Sequence, residues 1–184
     1  MAQISSHTLQ SRARRAFEAG RLKHGAGTAL AALPMIALSL LACGKPMLSL
    51  GSGVLLLALA VGLGSRGGVM GRAVVPGLIA GSAPLLLPLL MRTGGHCCVS
   101  GACWSWCMLG CIGGGLLAGL TVGFTSIAER EQRGLFLFSA TLIAGVGGIL
   151  GCAVAGAAGM TAMVVAAVAA SLPTALLARP SRSL

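Results

Sequence analysis

The sequence predicts an all-α polytopic integral membrane protein, a bundle of six transmembrane helices with both termini on the cytoplasmic side. Three observations predict it: apolar residues dominate, they fall into six separate runs, and the cations crowd into alternate connections. Hydrophobic residues make up 56% of the 184 and charged residues only 9%, where a soluble domain carries about 25% charged. Mean hydropathy is +0.94. The 29 glycines follow no strict period and lie among Leu, Ala and Val, which excludes a collagen-like or disordered chain. A formal charge of +10, with five of the 13 cations crowded into one short N-terminal stretch beside an apolar run, suits anionic lipid headgroups better than nucleic acid.

Crossing a bilayer takes about 20 apolar residues at ~1.5 Å of rise each. Six runs qualify, at 25–42, 47–64, 73–91, 107–128, 135–154 and 161–178, and none contains Asp, Glu, Lys or Arg. Turn-forming and charged residues separate them: Gly44-Lys45-Pro46, Ser65-Arg66-Gly67-Gly68, Arg92-Thr93-Gly94-Gly95, Glu129-Arg130-Glu131-Gln132-Arg133, and the weaker break at 156–159. If that last break fails, the final two runs become one long helix or a re-entrant hairpin. The chain thus divides into a basic segment 1–24, a membrane domain 25–178 with a cysteine-rich extracytoplasmic segment 92–111, and a short tail 179–184.

Orientation follows from the cations, because Lys and Arg in short loops stay on the cytoplasmic side. With the N-terminus inside, the inner segments hold Arg12, Arg14, Arg15, Arg21, Lys23, Arg66, Arg72, Arg130, Arg133, Arg179 and Arg182, leaving Lys45 and Arg92 outside. Arg12, Arg14, Arg15, Arg21 and Lys23 are the membrane-surface candidates. Trp104 and Trp106 precede the fourth run, at the headgroup depth that indole favours. Leu40-Leu41-Ala42-Cys43 also reads as a lipoprotein signal ending in a lipid-modified cysteine, but its charged lead-in is long for one. Ala-, Gly-, Leu- and Arg-rich usage points to a GC-rich bacterium and hence a plasma (inner) membrane.

Helices in lipid gain little hydrophobic energy from meeting, so small residues must let backbones approach. Gly77 and Gly81, then Gly115, Gly119 and Gly123, then Gly147, Gly151, Ala155 and Gly159 repeat at four-residue spacing. Packing within one bundle is the plain reading of these stripes; an oligomer through Gly115, Gly119 and Gly123 is the other. Pro76, Pro84 and Pro88 predict a kinked or partly broken third helix.

The run from His96 to Cys111 holds Cys97, Cys98, Cys103, Cys107 and Cys111, five of the seven cysteines. Under the orientation above, Cys43 and Cys152 also fall at the outer ends of their spans, so all seven thiols gather at one face. Three chemistries fit. Disulfides would pin the loop to the helix tops, with an odd thiol left over. A metal site would use His96, Cys97, Cys98, Cys103, Cys107 and Cys111 for Zn²⁺ or Cu(I), with Met47, Met91, Met108, Met160 and Met163 as further soft donors. A redox or soft-metal sensor would couple either event to a helix shift. Of the histidines, His7 and His24 belong to the basic segment.

An enzyme is not expected, because Glu18, Glu129 and Glu131 are the only acids and all lie among cytoplasmic arginines; thiol oxidoreduction is the one enzymatic class left. Coupled ion transport usually needs an ionisable residue within the spans, which leaves a soft-metal permease using Cys and Met. A membrane signalling module fits best, with chemistry outside and residues 5–24 inside to meet the inner leaflet or a cytoplasmic partner. In six spans, the tail Ser11-Arg12-Ala13-Arg14-Arg15 and the outer cysteines, the layout is similar in outline to bacterial six-span membrane anti-sigma regulators. The resemblance is one of architecture and implies a cytoplasmic protein partner for the tail.

Overall fold

In the computed structural model, residues 6–42, 46–93, 103–129, 132–152 and 156–177 are described, and their regular structure is entirely α-helical. Helix α1 spans Ser6–Leu30, α2 Leu33–Ala42, α3 Pro46–Arg66, α4 Gly68–Thr93, α5 Cys103–Ser126, α6 Arg133–Cys152 and α7 Gly156–Leu177. The charged segment and the first apolar run, divided at 24/25 in the sequence, share α1. Residues 10–23 are rich in Arg and Ala, both good helix formers, and Arg14 pairs with Glu18 one turn on at 3.1 Å. α1 then ends in a tightened turn, with the Ala31 and Ala32 N–H groups donating to the Thr28 and Ala29 carbonyls. Pro34 explains the break: it has no N–H for the Leu30 carbonyl, yet sits comfortably in the first turn of α2.

Five described stretches are long and apolar enough to cross a membrane, the first being Arg14–Leu41 across α1 and α2; α7 adds the shorter apolar stretch Ala158–Pro173. The bundle is therefore an all-α, membrane-type assembly of five to six such helices. Its outward residues agree, since Leu41, Val54, Ile79, Leu90, Phe124, Phe138 and Val165 are exposed, and water would penalise so apolar a surface. Buried hydroxyls of Ser39, Ser49, Ser126 and Ser139 all lie within hydrogen-bonding reach of partners, and no described buried side-chain N or O lacks one.

The packing register shows how the helices run. Gly77 meets Ala140 and Ile143, and Gly81 meets Ala144 and Gly147, so α4 and α6 are parallel. Gly115 meets Met163 and Ala166, and Gly119 meets Ala167 and Ala170, so α5 and α7 are parallel too. Gly110 lies by Pro88 and Gly114 by Pro84, which makes α4 and α5 antiparallel. It follows that α6 and α7 are separate helices running in opposite directions; the break read at 156–159 is displaced, since these residues lie inside α7 and the division falls between Cys152 and Gly156.

Glycine carries these crossings because its missing β-carbon lets backbone touch backbone. A β-carbon at Gly25 would stand 3.0 Å from the Val61 carbonyl and the Ser65 nitrogen of α3. Between α3 and α4 the whole link is Gly67, and both Gly67 and Gly68 hold positive φ, 69° and 60°, a region other residues enter at a cost. Of the kinked or partly broken third helix expected from its prolines, the interruption does not occur: α4 runs through Pro76, Pro84 and Pro88. Each proline frees one carbonyl, which a packed membrane bundle tolerates where neighbours come close.

Candidate functional site

Alternation of the helices places the ends of α2, α4 and α6 and the starts of α3, α5 and α7 at one end of the bundle. The α2–α3 connection there includes Cys43, and the α4–α5 connection includes His96, Cys97 and Cys98; these four lie outside the described residues. Cys103, Cys107, Cys111 and Cys152 are within described helices, α5 and α6. Helix α5 begins at Cys103, four residues ahead of the predicted span, so Cys103, Cys107 and Cys111 belong to one continuous helix. Four-residue steps turn by about 40° each, so the three positions occupy one side along about 12 Å of axis.

That regular spacing limits the chemistry within α5. Side-chain β-carbons four residues apart stand about 5–6 Å from each other, beyond the ~3.5–4.5 Å that a disulfide spans. Cystine formation by an α5 residue thus calls for a partner on another segment. A metal ion makes no such demand, since thiolates each ~2.3 Å from one ion bridge a wider gap.

Of the seven cysteines, the Cys111 side chain is the one described. It is fully buried and clusters with Met163, 3% exposed, and Met160 packs against that cluster. The thioether of Met163 rests on the Cα of Gly148, where any β-carbon would displace it. α6 therefore leaves room for a methionine that reaches across from α7 toward α5. Of the other methionines read as soft donors, Met47 is 85% exposed and directed away from the core, Met108 is half-buried, and Met91 lies outside the described side chains. Among the described residues no group of three His, Cys, Asp or Glu is arranged to hold a metal.

A second polar feature at the same end escaped the sequence reading. Ser39 Oγ of α2 lies 3.2 Å from Ser49 Oγ of α3 and 3.2 Å from the Leu150 carbonyl of α6. The two contacts are compatible because each hydroxyl has its own proton to give. Three helices are joined at one buried point. Its only signal in sequence is that Ser39 and Ser49 stand near facing ends of adjacent spans.

Most charges of the described residues, Arg92 at the end of α4 apart, occupy the opposite end. Arg72 of α4 forms an ion pair with Glu129 at 2.8 Å, the carboxylate side chain being 16% exposed. Arg133 donates to Ser126 Oγ at 3.2 Å, and Arg21 donates to the Ser65 carbonyl, satisfying one of the orphan acceptors at the end of α3. Arg21 also lies over the Phe17 ring, 5.8 Å from its centroid. Arg12, Arg14, Arg15 and Lys23 are exposed. Gly115 and Gly119, read as possible oligomer contacts, are filled within the chain by the Met163 and Ala167 carbonyls of α7, and Gly123 is buried.

In comparisons with known proteins, no protein family, no curated protein and no solved structure matches the chain.

Proposed function

We propose that the chain is a six-span, N-in and C-in protein of a bacterial inner membrane whose extracytoplasmic cysteine face responds to a soft metal or to redox state and signals to the cytoplasmic end. The observation that carries this reading is the buried cluster of Cys111 with Met163 and Met160, on helices α5 and α7 near the ends from which α5 and α7 start. Thiol and thioether sulfurs without carboxylates are the donor set that Cu(I) selects, with Zn²⁺ the alternative for thiolate and imidazole. The helix spacing in α5 favours a shared ion over disulfides within that helix.

The packing around Met163 supports a route for such a signal. A ligand that draws the Met163 thioether toward Cys111 withdraws it from Gly148, and the Met163 carbonyl is the surface on which Gly115 rests. α7 would then shift along α5 toward the charged end, where a basic arm and a cytoplasmic partner at 5–24 receive it. The architectural likeness to anti-sigma regulators supports such a partner.

The test is thiol counting and metal analysis on full-length protein in detergent, with and without reductant, after exposure to Cu(I) or Zn²⁺. Expected is about one Cu(I) per chain that protects reduced thiols from alkylation, with weaker binding in Cys111→Ser and Met163→Leu. Fully alkylated thiols in the presence of either metal, with no disulfide under oxidising conditions, would refute the reading. Co-purification with and without replacement of residues 5–10 tests the arm.

A further inference from the structure

Helices α1 and α4 touch little, and between them runs a groove of about 520 Å³. Gly20 and Gly27 leave its α1 wall open, with no atom near where a β-carbon at either would stand. Its two ends differ. Lys23 and His24 line one, and Ala31 with Val75 line the other, about 12 Å further along α1 at ~1.5 Å per residue. The Thr28 hydroxyl beside it is turned back onto the Gly25 carbonyl at 2.8 Å, so the polar groups stay at the Lys23 end.

Charge decides the occupant. Of the three acids in the chain, Glu18 pairs with Arg14 and Glu129 with Arg72, so neither is committed to Lys23 or His24. A cationic mouth leading to an apolar trough fits a molecule with an anionic head and an apolar tail. The bilayer around the bundle supplies such a molecule, and basic pockets between membrane helices bind anionic headgroups. We infer that the α1–α4 groove is a binding site for an anionic phospholipid, its phosphate at Lys23 and His24 and one acyl chain along Gly27, Ala31 and Val75.

Native mass spectrometry of the full chain in a non-ionic detergent, with phosphatidylglycerol, phosphatidylcholine or inorganic phosphate added, tests this. Phosphatidylglycerol should be retained over phosphatidylcholine, and Lys23→Gln and His24→Gln should each weaken retention about fivefold. Val75→Trp should weaken it with no change in charge. Gly27→Leu fills the same trough and replaces that test should Val75→Trp fail to fold. Lys23→Arg, which keeps the charge, should leave retention unchanged. Equal retention of the two lipids overturns the site, as does unchanged retention in Lys23→Gln and His24→Gln. Displacement of the lipid by inorganic phosphate at equal concentration would make it a free-anion site and overturn the lipid assignment.

Discussion

The carbonyl oxygen of Pro84 lies against Gly151 at the place a β-carbon would occupy. That carbonyl has no helical donor, because its partner four residues on is Pro88, which lacks an N–H. The Cα hydrogens of Gly151 face it, a contact worth ~0.5–1 kcal/mol. One proline-freed acceptor on α4, the one that Pro88 leaves, is thereby matched to one glycine on α6.

Gly151→Ala should therefore be costly, because both Pro84 and the Leu85 backbone stand in the way and backbone cannot rotate aside. A loss of about 1–3 kcal/mol is expected for such overpacking, read as a lowered unfolding midpoint in detergent. Gly145→Ala is the control: nothing stands within 4 Å of its β-carbon position, and a helical alanine is neutral or slightly stabilising there. Equal effects of the two would mean that α4 and α6 do not cross as described.

Gly119→Val should separate α5 from α7, since the Ala167 carbonyl fills the space and the Ala170 methyl stands 2.9 Å away. Thermal stability should fall while the mass of the detergent-purified particle stays the same. If instead the mass changes and stability does not, the glycine stripe serves an interface between chains.

Single-cysteine labelling in a background without native cysteines checks orientation. Reagents that cannot cross the membrane should reach cysteines placed at Thr93 or Ser100 in intact cells, and at Ser65 or Gln132 only after permeabilisation. Labelling at Gln132 in intact cells would contradict the N-in arrangement, which rests on the distribution of Lys and Arg.

Much of this protein was determined by sequence alone, wherever one-dimensional pattern is enough. Apolar run length set the helices, because a bilayer leaves backbone groups no other donors and acceptors; glycine and charge set the turns, as Gly67 and Gly68 show. The four-residue spacing of Gly77, Gly81, Gly115, Gly119, Gly147 and Gly151 announced close crossings, but spacing does not name a partner. Only the tertiary structure paired α4 with α6 and α5 with α7, separated α6 from α7, and joined Ser39 to Ser49 and Leu150. It also selected among the methionines, turning Met163 onto Cys111 and Met47 outward, a choice sequence could not make because every face of these helices is apolar. In water a polar face marks the outside; in lipid that mark is missing, and side-chain direction is decided by which small residue leaves room.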